Sequence, residues 1–233
     1  DEGITDFPTW EFPDGSRVAG VQPLETISAG AQVPIPLSST PSFDELVDVS
    51  VELGSPLHIP VDAYDPDGSP LSITVTSSDP NLITGKVLSG NRSLRLSTAG
   101  FGDLVFQLFE QRAPRPSERV VALAQSGFYD GVTFHRVIND FVIQGGDPTG
   151  TGTGGSSLGE FDDQYHLELQ HNRTGVLSYA KRTDDTNDSQ FFITEGPQRF
   201  LDFNYSVFGQ LVEGELVLNA ISDTATNALD RPV

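Results

Sequence analysis

The chain has 233 residues, of which 33 are acidic and 13 basic, so its formal net charge is −20, and such a surface repels nucleic acid and anionic lipid headgroups. Cysteine is absent, which excludes a disulfide framework, a thiolate zinc site and a cysteine nucleophile. The length allows one large domain or two modest ones, and no apolar run approaches the ~18 residues of a membrane-spanning helix.

Residues 1–44 are rich in proline, glycine, serine and threonine and show little periodicity. This composition predicts an irregular lead segment. From residue 47 the pattern changes to short runs in which apolar and polar residues alternate between turn residues, and this pattern predicts strands. The runs are VDVSVEL at 47–53, LHIPVDAY at 57–64, LSITVTSS at 71–78 and LITGKVL at 82–88.

The tetrapeptide Asp65-Pro66-Asp67-Gly68 separates two of these runs. Proline presets the first φ angle of a turn and glycine accepts a positive φ, so a hairpin is predicted. A strand, a DPDG turn and a strand beginning PLSITV resemble about half of the cadherin-like or immunoglobulin-like sandwich modules of bacterial exported proteins. Acidic turns in such modules can hold calcium, for which Asp62, Asp65 and Asp67 are the candidates. The plain turn is favoured, because proline and glycine already account for the segment.

Two further runs, SLRLST at 93–98 and DLVFQLF at 103–109, predict a second pair of strands. A helix is predicted over residues 117–126, with Ser117 as its N-cap. The apolar stripe that indicates this helix consists of Val120, Val121, Leu123 and Ala124.

The most distinctive stretch is FHRVINDFVIQGGD at 134–147, which is followed by SQFFI at 189–193. It places Arg136 among apolar and aromatic residues, with Gln144 eight positions later, and no nucleophile or metal-ligand set accompanies them. Together with the preceding order of strand, helix, short loop and strand, these motifs resemble those of the cyclophilins, which are peptidyl-prolyl cis/trans isomerases. The resemblance continues to about Ile221.

The resemblance implies a mainly β fold, in which residues 93–233 form a cyclophilin-like closed antiparallel β-barrel capped by two helices, at 117–126 and 213–221. A smaller β-rich, sandwich-like accessory domain over residues 1–92 precedes the barrel. Neither a cofactor nor a metal is implied. The glycine-rich run at 150–155 lacks the lysine of a phosphate-binding loop and is predicted to be a flexible loop.

The implied reaction is rotation about an X-Pro amide bond, which has a barrier of ~18–20 kcal/mol and requires no covalent step. A hydrogen-bond donor aimed at the proline nitrogen interacts better with the twisted transition state than with the planar amide. Arg136 suits this role because its guanidinium stays charged and offers several N–H groups. The resemblance makes Arg136, Gln144 and Phe192 the catalytic residues. It assigns substrate binding to Phe141, Val142, Ala180, Lys181, Arg182, Gln190, Phe200, Leu201 and Tyr205.

The predicted function is therefore peptidyl-prolyl cis/trans isomerisation of X-Pro bonds in polypeptides, assisting protein folding. The partners are proline-containing peptides and unfolded or folding proteins. The alternative is a proline-peptide-binding or chaperone module with little turnover. The sandwich-like module and a first residue, Asp1, that is not methionine favour a periplasmic or otherwise exported location, while a cytoplasmic one stays open. The natural substrates and the oligomeric state do not follow from the sequence.

Several residues depart from the family pattern. Phe200 stands where many cyclophilins have tryptophan, and the loss of an indole N–H donor predicts weak cyclosporin binding. Tyr205 stands where some have histidine. Within the motif itself, His135 is predicted to be a structural, hydrogen-bonding residue that transfers no proton. After Ile221 the chain runs SDTATNALDRPV, where family members continue into a last barrel strand. Either the natural chain continues, or the amino-terminal region covers that barrel edge.

Overall fold

The computed structural model describes residues 9–11, 17–19, 40–43, 46 and 48–233. Most of the predicted lead segment, 1–44, lies outside the described residues. The chain divides into two compact units, of which one comprises residues 1–46 and 61–74 and the other residues 47–60 and 75–233. The predicted domain boundary after residue 92 stays a prediction. No helix in the described part of the chain is long and apolar enough to cross a membrane.

The described strands of the first unit form two short antiparallel ladders. Strand β1 (Thr9–Glu11) pairs with β2 (Arg17–Ala19), and β3 (Ser42–Phe43) pairs with β4 (Ala63–Tyr64). These ladders leave the cadherin-like or immunoglobulin-like resemblance unconfirmed.

Three of the four strands predicted between residues 47 and 88 are wrong. Of the run at 57–64 only β4 is a strand, and the described residues of the runs at 47–53, 71–78 and 82–88 form none. Their apolar side chains are largely exposed, as for Val49 and Ile73. A segment with alternating apolar and polar residues forms a stable strand only where it can pair with a neighbouring strand and bury its apolar face.

The turn predicted at residues 65–68 is confirmed, but the hairpin is not. The Gly68 N–H donates to the Asp65 carbonyl at 3.1 Å, and Gly68 has a φ of 73°. The Asp65 carboxylate accepts the Asp67 N–H, and the Asp67 carboxylate accepts the Ser69 N–H. Both carboxylates thus stabilise the turn itself. Among the described residues no three acidic or histidine side chains are grouped to hold a metal ion, so the calcium alternative for Asp62, Asp65 and Asp67 gains no support.

The second unit contains a seven-stranded antiparallel sheet with the order β5-β6-β11-β9-β10-β8-β7. It curls into a half-barrel with two helices, which confirms the predicted mainly β, cyclophilin-like fold, although the end strands β5 and β7 are not paired with each other. The strands are β5 (Ser93–Thr98), β6 (Gly102–Leu108), β7 (Arg136–Ile138), β8 (Val142–Gly145), β9 (Val176–Tyr179), β10 (Phe191–Thr194) and β11 (Val207–Glu213).

The concave side of the sheet encloses the main apolar core. Tyr179 and Phe208 are fully buried there, with ring centroids 4.6 Å apart, and Phe161 meets Tyr179 edge-on at 5.0 Å. Such aromatic pairs add to the large hydrophobic contribution of burying the rings. The fully buried aliphatic residues of this core include Leu104, Leu108, Ile143, Leu177, Ile193 and Leu218.

Helix α1 (Pro114–Gln125) begins three residues before the predicted start. Pro114 occupies its first turn, where the missing N–H costs no hydrogen bond and the fixed φ favours a helix. The predicted N-cap, Ser117, instead lies inside the helix, fully buried, and its N–H donates to the Ala113 carbonyl. The N-cap prediction is therefore wrong. Helix α2 (Glu215–Ser222) confirms the helix predicted over 213–221 within two residues.

The segment at 225–233 packs along the free edge of β7. The Val137 N–H donates to the Asp230 carbonyl at 2.8 Å, Arg231 donates to the Thr151 carbonyl at 3.0 Å, and Thr226 pairs with Pro232. The sequence left two covers open for the barrel edge, a continuation of the chain or the amino-terminal region; along β7 the segment at 225–233 takes that position.

The segment at 52–60 belongs to the second unit and packs against Phe109 and against residues 172 and 173. The His58 ring lies 4.4 Å from that of Phe109, while the side chains of Asn172 and Arg173 donate to the carbonyls of Pro56 and His58. Burial lowers the pKa of His58 to about 4, and nearby Arg112 lowers it further. His58 is therefore neutral in the folded protein at neutral pH.

We expect Leu218→Ala to lower the free energy of unfolding by about 2–5 kcal/mol, because it opens a cavity in the core. Leu218 is 0% exposed, whereas Leu216 on the same helix is 84% exposed. Leu216→Ala is thus the matched control and should change stability by less than about 0.5 kcal/mol. Urea unfolding of both variants measures the difference. Equal effects would show that α2 does not cover the core.

We also expect stability to rise between pH 4 and pH 6.5, in part because of His58. In this range the unfolded chain binds a proton that the folded His58 does not, since its pKa falls from 6.5 to about 4. Each such group contributes a slope of up to about 1.4 kcal/mol per pH unit. His58→Gln should flatten the slope, measured by urea unfolding at several pH values. An unchanged slope would mean that the pKa of His58 is the same in the folded and the unfolded chain.

Candidate active site

Four residues from separate strands line up on one face of the sheet. In the antiparallel pairing Arg136 lies opposite Gln144, Gln144 opposite Phe192, and Phe192 opposite Ser178. Residues directly opposite in neighbouring strands project to the same face. The register therefore brings the two sequence motifs, more than forty residues apart, into a single row.

Beside this row lies a second apolar cluster, separate from the main core. Val142, Phe192 and Leu201 are buried in it, and the partly buried Phe141, Ala180 and Tyr205 pack against them. All six belong to the residues that the sequence predicted for catalysis or substrate binding. An apolar cluster outside the main core, with aromatic rings packed around it, suits a compact apolar ligand group.

Aromatic rings form the walls of this cluster. Tyr205 meets Phe192 edge-on with centroids 5.5 Å apart, and Phe200 stacks on Phe141 at 5.8 Å. Phe200 is 71% exposed and forms the outer rim, in the middle of a short 3₁₀ helix, Arg199–Leu201. His171 stacks on Phe192 at 5.7 Å.

His171 is a neighbour of the site that the sequence did not indicate. Its Nδ1 lies 3.3 Å from Asp202 Oδ1. Burial lowers the pKa of His171 to about 4 in spite of this carboxylate, so the ring is neutral at neutral pH. No local pattern could have revealed it, because it meets Phe192 and Asp202 only in the folded chain.

Gln144, a member of the row, forms a hydrogen-bonded pair with a second glutamine, Gln190. Gln144 Nε2 donates to Gln190 Oε1 at 3.0 Å, and Gln190 Nε2 donates to the Gly154 carbonyl at 2.8 Å. These bonds fix both amide orientations. Neither glutamine is hydrogen-bonded to Arg136, whose Nε faces Asp230 Oδ2 at 3.5 Å. The hydrogen bonds of the two glutamines therefore link them to each other and to the loop at 152–155, while the arginine has Asp230 as its neighbour.

The loop that carries Gly154 is organised around a buried carboxylate. Asp147 accepts the backbone N–H groups of Thr149, Thr151, Gly152 and Gly154 and the Thr149 hydroxyl. Burial alone would raise the pKa of Asp147, but these hydrogen bonds hold it far below its ordinary value. The loop predicted to be flexible is thus anchored, and through Gly154 it positions Gln190.

The ring of His135, which was predicted to form hydrogen bonds, does not do so. Both ring nitrogens are buried and have no partner among the described residues. Burial lowers the pKa of His135, so the neutral ring serves as packing next to Gly152.

The segment from Ala180 to Arg182 borders the cluster. The Ala180 N–H donates to the Gln190 carbonyl at 2.9 Å. Arg182 pairs with Glu160 at 2.8 Å on the surface. Between this segment and the loop at 152–155 lies a cavity of about 160 Å³ that Gln144 and Gln190 also line.

Lys181 does not present a free charge at this border. Its side chain is only 4% exposed, and its Nζ pairs with Asp163 Oδ2 at 2.6 Å and Asp184 Oδ1 at 2.9 Å. Burial would lower its pKa, but the bonds to Asp163, Asp184 and Tyr165 raise it above the ordinary value. The ammonium lies 5.7 Å from the centroid of Tyr205. Lys181 therefore supports the Tyr205 wall of the cluster.

Comparisons with known proteins agree with this arrangement. The family described as "Cyclophilin type peptidyl-prolyl cis-trans isomerase/CLD" matches residues 93–233. A peptidyl-prolyl cis-trans isomerase of Schizosaccharomyces pombe is 46% identical over 134 residues, which cover 57% of this chain and 86% of that protein. A putative peptidyl-prolyl cis-trans isomerase of Staphylococcus haemolyticus is 43% identical, covering 57% of this chain and 81% of its own.

A solved structure shows the same fold. It is a cyclophilin type peptidyl-prolyl cis-trans isomerase of Cryptosporidium parvum, determined in the presence of the dipeptide Ala-Pro. It is 40% identical, with a TM-score of 0.59, and the match covers 61% of this chain and 92% of that one. The row of Arg136, Gln144 and Phe192, the apolar cluster beside it and the match over residues 93–233 lead to one conclusion: the chain belongs to the cyclophilin-type peptidyl-prolyl cis-trans isomerases.

Proposed function

We propose that this protein isomerises X-Pro bonds in polypeptides and that Arg136 stabilises the transition state. The observation that carries the proposal is the apolar cluster outside the main core, which lies beside the row of Arg136, Gln144 and Phe192. The named isomerases to which the chain is similar support the reaction class.

The chemistry requires the arginine to act on the proline nitrogen. Rotation by about 90° removes amide resonance, so the nitrogen regains its lone pair and becomes a hydrogen-bond acceptor at the top of a barrier of ~18–20 kcal/mol. A guanidinium N–H that meets this lone pair binds the transition state better than the planar ground state. Arg136 has its Nε beside Asp230, which leaves the two Nη groups to donate.

The apolar cluster holds the proline ring while the preceding carbonyl turns. Phe192 and Leu201 form its buried floor, with Phe141 and Tyr205 at the sides. Apolar side chains pack against the ring and offer no hydrogen bonds that would favour one isomer.

The polar side of the site orients the peptide chain that precedes the proline. Gln144 and Gln190 are already bonded to each other and to the loop at 152–155, so little entropy is lost when they bind the substrate. The backbone from Ala180 to Arg182 runs alongside and supplies main-chain contacts, which tolerate many sequences. The Cryptosporidium relative solved in the presence of Ala-Pro favours short X-Pro peptides as ligands.

A role in protein folding follows from the same reaction, because uncatalysed X-Pro isomerisation takes tens to hundreds of seconds and can limit folding. The chaperone role and the exported location stay predictions.

We expect Arg136→Ala to lower kcat/KM for an Ala-Pro-containing peptide by about 10²-fold, as removal of one transition-state donor does elsewhere. Peptide affinity should change little, because the apolar cluster remains. Rate measurements by NMR exchange and affinity measurements by calorimetry test both expectations. Arg95→Ala is the control, since Arg95 pairs with Asp103 on β5 and β6, outside the site. If both Arg136→Ala and wild type bind but isomerise equally poorly, the protein is a proline-peptide-binding module instead.

We also expect wild-type protein to be inhibited only weakly by cyclosporin, because Phe200 at the exposed rim offers no N–H donor. Phe200→Trp should tighten inhibition by about tenfold, which one added hydrogen bond can supply. Phe101→Trp, at an exposed position on the β5–β6 turn, adds an indole elsewhere and should have no effect. Titration of the drug against isomerase activity measures this, and nanomolar inhibition of the wild type would contradict it.

A further inference from the structure

The proposed catalytic arginine has an acidic partner from a distant part of the chain. Arg136 Nε lies 3.5 Å from Asp230 Oδ2, with 39% and 44% of the two side chains exposed. Among the described residues this is the ion pair that Arg136 makes. An exposed pair of this kind contributes little to stability, but it places a carboxylate beside the guanidinium of the proposed catalytic residue.

The backbone holds Asp230 rigidly in place beside β7. Its carbonyl accepts the N–H of Val137, the residue that follows Arg136, at 2.8 Å, and its own N–H donates to the Asn227 carbonyl at 3.0 Å. Asp230 has a φ of 58°, the left-handed conformation that aspartate, asparagine and glycine tolerate best. The backbone of Asp230 is therefore bonded to the same strand that carries the arginine.

A second set of contacts fixes the segment that carries Asp230. The Asn227 N–H donates to the Arg231 carbonyl at 2.9 Å, and the Arg231 side chain donates to the Thr151 carbonyl at 3.0 Å. Thr151 in turn donates to Asp147, at the centre of the loop that positions Gln190. The backbone position of Asp230 is thus set by both β7 and this loop.

We propose that Asp230 is a positioning residue for isomerisation, which engages Arg136 at Nε and turns its two Nη groups towards the proline nitrogen. The inference rests on the proposed function of Arg136. An arginine side chain has several rotatable bonds, and its planar fork donates well only when its orientation is set. Holding Nε before the substrate arrives removes that ordering cost from the transition state.

Two substitutions of Asp230 change its side chain while keeping its backbone conformation. Asp230→Gly removes the carboxylate and accepts the positive φ without strain. Asp230→Asn tolerates the same φ and keeps an acceptor oxygen. We expect Asp230→Gly to lower kcat for an Ala-Pro-containing peptide by about tenfold with little change in KM, since positioning is lost and binding is not. Asp230→Asn should restore most of the rate.

A double-mutant cycle tests whether Asp230 acts through Arg136. In an Arg136→Ala background, Asp230→Gly should cause no further loss of rate. Asp103→Asn is the matched control, because it breaks the surface pair with Arg95 at 2.6 Å outside the site, and its rate should equal that of wild type. Thermal unfolding and the NMR signal of the Val137 amide show whether the segment stays in place.

Wild-type kcat in Asp230→Gly overturns the inference, and so does an equal loss of rate when Asp230→Gly is added to Arg136→Ala. Failure of Asp230→Asn to recover activity, with the Val137 amide unchanged, also overturns the assigned role of an acceptor at Nε. Full activity in Arg136→Ala is a different result, because it removes the proposed function of the arginine itself.

Discussion

Pairing of β7 with β8 and of β8 with β10 places Arg136, Gln144 and Phe192 opposite one another across three strands. Side chains alternate between the two faces of a strand, so a slip of one residue in this register would turn the whole row towards the barrel interior. The donor, the amide and the pocket floor would then no longer share a face. The register is in turn held by the core residues that alternate with the row.

Because side chains alternate along a strand, one face of β8 and of β10 packs in the main core and the other face lines the site. In β8 Ile143 belongs to the main core, whereas Val142 belongs to the second cluster; in β10 Phe191 and Ile193 belong to the core, and Phe192 to the second cluster. In these two strands the pocket residues Val142 and Phe192 therefore adjoin residues that anchor the sheet. Such a pocket is rigid because close packing on the opposite face restricts the backbone beneath it.

Sequence patterns predicted this half of the molecule well and the region before it poorly. Strands β5 and β6 were predicted because each alternates and pairs with its neighbour through a short turn. The runs at 47–53, 71–78 and 82–88 alternate in the same way, yet form no strand in the described residues. Strand propensity depends on a partner and a buried face, and neither is encoded locally. The predicted N-cap at Ser117 is also wrong. The helix begins three residues earlier, at Pro114, and proline favours the first turn of a helix. The prediction used the serine as the start signal and left the proline out.

By itself, the sequence determined the family, the reaction class and the set of residues around the pocket, because the motifs at 134–147 and 189–193 carry them in short, contiguous form. Only the tertiary structure decided how these residues are supported. His171 beneath Phe192, the two carboxylates around Lys181 and Asp230 beside Arg136 are partnerships of side chains that folding brings together. Charge and stacking depend on distance in space, and a linear pattern of residue types does not contain that distance.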